Sequence, residues 1–163
     1  MPKMKSLEDL FIHLLKDIYY AEKQILKALP KMAQKADSAE LRKAFEHHLK
    51  ETEGQVDRLE KVFALCDRKP VGETCPAIKG ILEEGKELMQ DAADPDVLDA
   101  GMIADAQAVE HYEISRYGTL IAWAQQLGMN DAAKLLTQTL EQEYNADQTL
   151  TKLAESSLNR EAA

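Results

Sequence analysis

The sequence predicts an all-α protein: a four-helix bundle whose two helical hairpins are joined by a long crossover containing a short fifth helix. Two observations support this fold class. Long stretches repeat apolar residues every three or four positions, which is the spacing of one face of an α-helix. Helix-starting and helix-stopping residues separate these stretches. Because the chain has 163 residues, we expect one domain over residues 1–163.

The first hairpin is delimited by clear capping residues. Ser6 and Asp9 match a capping box, in which each side chain satisfies a free backbone N–H of the first helical turn. Asp37 or Ser38 is expected to cap the second helix, which runs to about Cys66. Both helices are therefore expected to be long and to pack antiparallel across a short turn.

The crossover is expected over about residues 67–94. Its first part, DRKPVGETCP, is a loop by its Pro and Gly content, and a short helix over about 77–92 follows. Two hairpins joined in this way have the connectivity of ferritin-like bundles, with the bundle covering about residues 6–158. The third and fourth long helices are expected from Asp94–Pro95 to Gly128, and from Asn130 or Asp131 to about Leu158.

Composition and charge exclude several classes of partner. The net charge is −9 and no basic stripe is present, so we expect binding neither to nucleic acid nor to an anionic membrane. No run of apolar residues reaches the roughly 18 of a membrane span, and the first residues, MPKMKSLEDLF, lack the apolar run of a signal peptide. A cytoplasmic location is therefore expected. The two cysteines, Cys66 and Cys75, are expected to be unpaired.

Acidic residues interrupt the apolar face in the middle of every long helix. In VEHYEISRYGTL, Glu110 and Glu113 fall on the face that Val109, Tyr117 and Leu120 define. Glutamate on such a face is unexpected, because a helix normally buries apolar residues there. The equivalent interruptions are Glu22 in the first helix, His48 and Glu51 in the second, and Glu143 and Asp147 in the fourth.

The interruptions lie at the same depth in the bundle. Glu22 and Glu51 are equally far from the turn at residues 36–37, and Glu113 and Glu143 are equally far from Gly128. Each is about 15 residues from its turn, or roughly 22 Å at about 1.5 Å per residue. The acids are therefore expected to form one layer across the bundle, and the two hairpins resemble a degenerate internal repeat.

A buried layer of six carboxylates needs positive charge. Burying each ionised carboxylate costs several kcal/mol, which a total stability of roughly 5–15 kcal/mol does not absorb six times. Protons or metal cations would offset this cost, and His48 is the one good nitrogen donor. The alternative is that the acids point to solvent and His48 bonds a carbonyl. The candidate metal ligands are Glu22, His48, Glu51, Glu110, Glu113, Glu143 and Asp147, of which Glu110 or Asp147 could lie outside the site.

Four stretches of the chain resemble the YciE/YciF family of bacterial stress proteins: LEDLFIHLLKDIYYAEKQILKALPKM, HHLKETEGQ, VEHYEISRYGTL and TLEQEYNADQTLTKLA. The resemblance implies a ferritin-like fold related to the rubrerythrins, a cytoplasmic stress-response role and a homodimer. It implies no particular reaction. A dimer would also cover apolar residues of the short helix, Ile81, Leu82 and Leu88.

The di-metal pattern of ferritin-like proteins is only partly met. That pattern has one glutamate on each of two helices and Glu-x-x-His on the other two. Three residues after Glu51 and Glu143, however, stand Gly54 and Ala146 instead of histidine. Gln55 and Asp147, four residues on, could substitute. Two divalent ions are expected in such an oxygen-rich site, with Fe or Mn favoured and Mg or Ca allowed.

Three hypotheses for function follow. The first is a di-iron or di-manganese oxidoreductase that consumes a small oxidant such as peroxide or oxidises Fe(II). In it Glu51 and Glu143 bridge the ions, Glu22 and Glu113 are terminal ligands, and His48 is the nitrogen ligand. The second is a non-catalytic metal-binding module. The third is a structural dimeric stress protein without metal, whose polar layer is protonated or hydrated.

Overall fold

The computed structural model of the protein describes residues 3–163, and its long helices follow the predicted order. Helix α1 begins after Ser6, whose hydroxyl accepts a hydrogen bond from the Asp9 amide and completes the predicted capping box. Ser38 caps α2 and Asp94 caps α4. The helices are α1 (Leu7–Lys35), α2 (Ala39–Leu65), α3 (Pro76–Asp91), α4 (Pro95–Gln126), α5 (Asn130–Leu153) and the short α6 (Asn159–Glu161).

In the second hairpin, the turn and the C-terminal end of the last helix have different backbone conformations. Gly128 has a φ of +73°, in the left-handed region that glycine adopts without steric cost, so the turn falls where the sequence predicts it. The fourth long helix extends as expected to Leu158, but its last segment, Ala154–Leu158, is π-helical. The wider turn of this segment precedes the short α6.

Apolar faces of the four long helices meet in one core. Helix α1 packs against α2, α4 packs against α5, and the two hairpins join through α2 against α5 and α1 against α4. This arrangement confirms the predicted all-α bundle. The largest fully buried side chains include Phe11, Phe45, Phe63, Met102 and Leu120.

Helix α3 lies against α4 and is itself part of the packed structure. Gly85 and Gly101 permit this close approach: a Cβ at Gly101 would lie 2.6 Å from the Leu88 side chain. Ile81 and Leu82 are half-buried against the core. Part of the apolar surface of α3 is therefore covered within the chain.

In the part of the chain that the structure describes, every helix is too short or too polar to cross a membrane. Cys66 and Cys75 are both free thiols, as the sequence predicts.

Candidate metal centre

Four side chains from three helices converge in the middle of the bundle. His48 comes from α2, Glu110 and Glu113 from α4, and Glu143 from α5. One donor atom of each lies within 4.8 Å of the donors of the other three. All four are buried, the exposed fraction being 6% for His48 and 2% or less for the acids. We call these residues the buried cluster.

Helical spacing explains why α4 contributes two ligand candidates. Glu110 and Glu113 are three residues apart and therefore share one face of the helix. Ala106 and Tyr117, one turn to either side, continue that face and are also buried. The acids thus occupy core positions, as the interrupted apolar pattern of VEHYEISRYGTL predicts.

His48 lies between carboxylates. Its Nε2 is 3.0 Å from Glu110 Oε1 and 3.9 Å from Glu143 Oε2. Its Nδ1 is 3.7 Å from Glu51 Oε2. Although burial alone would lower the pKa of His48, the negative charge of Glu110 raises it well above its ordinary value. Without metal, His48 is therefore the cation of the site.

Glu22 of α1 extends the cluster on the side of Glu113. It is fully buried, and the Tyr117 hydroxyl donates a hydrogen bond to Glu22 Oε1. Burial raises the pKa of Glu22 to about 7, although the hydrogen bonds from Tyr117 and Glu113 oppose the shift. Glu22 therefore holds its proton close to neutral pH when no cation is present.

The other acids divide into one ionised and two protonated groups. Burial and the neighbouring Glu143 charge raise the pKa of Glu113 well above its ordinary value. Burial and a hydrogen bond with Glu110 do the same for the pKa of Glu143. For Glu110, burial is outweighed by the positive charge of His48, which lowers its pKa. Without metal, one ion pair and shared protons therefore neutralise the buried cluster.

The donor set fits a divalent cation. Oxygen and nitrogen ligands lie about 2.0–2.6 Å from such ions, so two ligands of one ion are separated by up to ~5 Å, and the cluster meets this limit. Buried carboxylate oxygens without a donor are costly, and a cation would satisfy them. Among residues 3–163, the oxygens that receive no hydrogen bond from an amide or hydroxyl group include Glu22 Oε2, Glu110 Oε2 and both oxygens of Glu113 and Glu143.

Three of the residues predicted as ligands are not among the four of the buried cluster: Glu22, which adjoins it, Glu51 and Asp147. The side chain of Glu51 is 17% exposed and its Oε1 lies 3.3 Å from Nε2 of the exposed His47. The side chain of Asp147 is 19% exposed. Asp147 accepts a hydrogen bond from Gln107 and contacts His111 Nε2 at 3.1 Å. Asp147 therefore lies at the edge of the bundle, whereas Glu110, the other acid for which a place outside the site was considered, belongs to the buried cluster.

The polar core also contains Gln55 and Arg58, which meet side chains of α5. Gln55, predicted as a possible substitute for histidine, donates a hydrogen bond to Gln142 across the α2–α5 interface. Arg58 donates to Gln142 and Thr139. Arg58 precedes Leu59 of the apolar face of α2, and its long cationic side chain at this flanking position is the sequence signal that indicates it.

Fold and site together define an all-α, ferritin-like helical bundle with a buried centre of histidine and glutamate. The chain belongs to the family described as "Domain of unknown function (DUF892)", whose model matches residues 6–163. It is 46% identical over 160 residues to Protein YciF of Escherichia coli (strain K12), covering 98% of this chain and 96% of that protein. The resemblance to the YciE/YciF family is thereby confirmed.

Solved structures support the same assignment. The crystal structure of the E. coli stress protein YciF matches with a TM-score of 0.91 at 46% identity, covering 96% of this chain and 99% of that one. YcfI from Rhodopseudomonas palustris matches with a TM-score of 0.90 at 49% identity over 92% and 96%. A Xanthomonas campestris protein, 21% identical with a TM-score of 0.72 over 97% and 100%, shares the fold.

Proposed function

We propose that the buried cluster binds divalent metal ions and that the chain is a stress-response ferritin-like protein with a carboxylate-rich dinuclear centre. The observation that carries this proposal is the convergence of His48, Glu110, Glu113 and Glu143 within 4.8 Å in the core. The description of E. coli YciF as a stress protein supports the physiological role.

The arrangement suggests how two ions would be shared. His48, Glu110 and Glu143 would hold one ion. Glu22 and Glu113, which lie against each other, would hold the other. Iron or manganese bound in this way would supply redox and Lewis-acid chemistry toward dioxygen or peroxide.

The chain's own residues have separable tasks. Burial of the cluster excludes bulk water and strengthens its electrostatic interactions. The Tyr117 hydroxyl orients Glu22 through its hydrogen bond. Glu51 Oε2, 3.7 Å from His48 Nδ1, is placed to hold the imidazole while its Nε2 faces the site, which is the usual arrangement around a ligating histidine.

Elemental analysis of protein purified without chelator tests the proposal. We expect between one and two equivalents of iron or manganese per chain, and Glu143→Ala should bind less than a tenth as much. Glu141→Ala is the matched control, because Glu141 is an exposed residue of the same helix. Less than half an equivalent in the wild type, also after incubation with Fe(II) or Mn(II), would refute the metal centre. Turnover of peroxide or Fe(II) by the loaded protein would establish an oxidoreductase.

A second candidate is a module without catalysis. The buried cluster can be electrically neutral without metal, because His48 pairs with Glu110 and the pKa values of Glu113 and Glu143 are raised. This favours a structural protein as the alternative. A structural protein without metal should have a melting temperature that is unaffected by chelator. A non-catalytic metal-binding module should be stabilised by metal and show no turnover.

We also propose a homodimer in the cytoplasm, on the strength of the family resemblance. Light scattering during size-exclusion chromatography tests it: a mass near twice the 18.3 kDa of one chain is expected, and a mass of one chain would refute it.

A further inference from the structure

A second feature of the core adjoins the buried cluster: a cavity of about 90 Å³ that His48 and Glu110 line at one end. Between them and the surface, its walls are mainly apolar and come from α1, α2, α4 and α5. We call it the apolar cavity. The apolar residues that line it include Ile25, Leu29, Phe45, Ala106, Val109 and Leu150.

The other end of the apolar cavity reaches the surface of the bundle. His47, Glu51, Asn145 and Thr149 also line it. Glu51 is half-buried and the other three are exposed. The cavity therefore connects solvent to the face of the cluster on which His48 Nε2 contacts Glu110. On the opposite side of the cluster, Glu22 and the fully buried Tyr117 close the core.

Helix α3 forms part of the wall. Leu82 lines both the apolar cavity and a second depression, of about 360 Å³, between α1, α3 and α4. Ala28, Met32 and Val109 also line both. The cavity and this depression therefore share an apolar wall.

The lining determines which molecules the cavity favours. A buried water needs two to four polar partners, and apolar cavities of roughly 150 Å³ in other proteins stay dry and bind benzene or xenon. Most of this lining offers no hydrogen-bonding group, so water and hydrogen peroxide lose hydrogen bonds on entering. A small apolar molecule loses none and gains dispersion contacts with the walls.

We propose that the apolar cavity binds a small, uncharged, apolar molecule, namely dioxygen, and holds it beside His48 and Glu110. This assignment rests on the proposed metal centre for its chemical use and selects dioxygen from the two oxidants proposed for that centre, dioxygen and peroxide. Binding to the cavity itself requires no metal.

Xenon is the probe, because it is apolar and scatters X-rays anomalously. Crystals of chelator-treated protein pressurised with xenon should show an anomalous peak in contact with Leu29, Phe45 or Val109. Ala106→Leu, which adds three carbons inside the cavity, should abolish the peak. Ala104→Leu, on the exposed face of the same helix, should leave it unchanged. Ala28→Leu fills the shared wall and replaces Ala106→Leu if that variant does not fold.

Ordered water throughout the cavity, no xenon peak, or a peak that persists in the filled variants would each overturn the proposal. This result is independent of metal binding, so a failure of the cavity and a failure of the metal centre are distinguishable. In Fe(II)-loaded protein, Ala106→Leu should slow oxidation by dioxygen at least tenfold relative to Ala104→Leu. An unchanged rate of oxidation by dioxygen would contradict the use of the cavity by the metal centre.

Discussion

His48 Nε2 lies 3.0 Å from Glu110 Oε1 in the centre of the bundle, yet the two atoms are not aligned as a hydrogen bond. Electrostatic attraction therefore holds the pair when metal is absent. In the proposed metal centre, the same two atoms would turn toward the cation.

His48→Ala tests the metal-free role of this pair. In chelator-treated protein the substitution leaves the Glu110 carboxylate buried without its cation, and removing one partner of a buried pair costs about 3–5 kcal/mol. Urea unfolding at neutral pH should show this loss of unfolding free energy. His47→Ala is the control, because its side chain is 73% exposed, and should change stability by less than about 0.5 kcal/mol. Equal effects of both substitutions would contradict the assigned ion pair.

Asp147→Ala tests whether this acid belongs to the metal centre. Because Asp147 is occupied by Gln107 and His111 at the edge of the bundle, we expect the bound metal and its affinity to stay within twofold of wild type. Titration with Mn(II) or Fe(II), followed by elemental analysis, measures both. A loss of one equivalent would instead make Asp147 a ligand, with a rotation of its side chain on loading.

Glu51→Ala should behave differently from Asp147→Ala. Glu51 contacts His48 through Nδ1, and removing such a partner of a ligand weakens metal affinity by about 10–100-fold. We therefore expect a higher dissociation constant with unchanged stoichiometry at saturating metal. A reduced stoichiometry would support the bridging role that the sequence predicts for Glu51.

Much of this centre follows from helical periodicity. Glu22, Glu113 and Glu143 occupy positions where an apolar residue is expected. Glu113 and Glu143 are equally far from the turn of the second hairpin, and Glu22 and Glu51 are equally far from the turn of the first. Apolar periodicity is a property of a single helix, and equal distance from a turn relates two helices of one hairpin. Both can therefore be predicted directly from the sequence. The predicted helix bounds agree closely with those of the structure, because capping residues such as Ser6, Ser38 and Asp94 act on their own helix.

Side-chain contacts between neighbouring helices could not be predicted in this way. The position of the Asp147 side chain depends on its contacts with Gln107 and His111 of α4. Equal distance from the turn predicts the depth of a residue in the bundle, but it does not predict how α5 is rotated against α4. Burial of the apolar face of α3 likewise depends on Gly85 and Gly101, which set the distance between two helices.

Asp99 is a further residue that only the tertiary structure identifies. This α4 acid is 1% exposed and its carboxylate accepts hydrogen bonds from the backbone amides of Asp37, at 2.9 Å, and Ser38, at 2.7 Å. It thereby ties the turn between α1 and α2 to the second hairpin. No local pattern in the sequence distinguishes it from a solvent-exposed aspartate.

Asp99→Ala should destabilise the protein by about 1–3 kcal/mol, because it leaves two backbone donors of the turn without a partner. Chemical unfolding measures the effect. Asp57→Ala, at an exposed position in the middle of α2, is the control and should lie within about 0.5 kcal/mol of wild type. If Asp99→Ala were equally mild, the carboxylate would not be needed to hold the turn.

The stability of the metal-free protein should fall as pH rises above about 5. The pKa of Glu22 is raised from 4.5 to about 7 by burial, and burial also raises the pKa of Glu113 and Glu143 well above 4.5. A carboxyl group whose pKa is raised by folding contributes stability that is fully present below the pKa of the unfolded chain. This stability is lost as the pH rises through the pKa of the folded protein. The raised pKa of His48 acts in the same direction above pH 6.5. Within the buried cluster, Glu110 acts oppositely because its pKa is lowered, and it affects stability at lower pH.

Thermal unfolding between pH 5 and pH 8.5, with chelator and with saturating Mn(II), measures this dependence. With chelator the melting temperature should decrease steadily across the range. With Mn(II) the decrease should be reduced or reversed, because metal binds the deprotonated carboxylates and competes with their protons. Glu22→Gln, which cannot ionise, should flatten the chelator curve near pH 7, whereas Glu141→Gln at the surface should not. A chelator curve that rises with pH over this range would show that the buried acids are already ionised and solvated without metal, contrary to the assigned cluster.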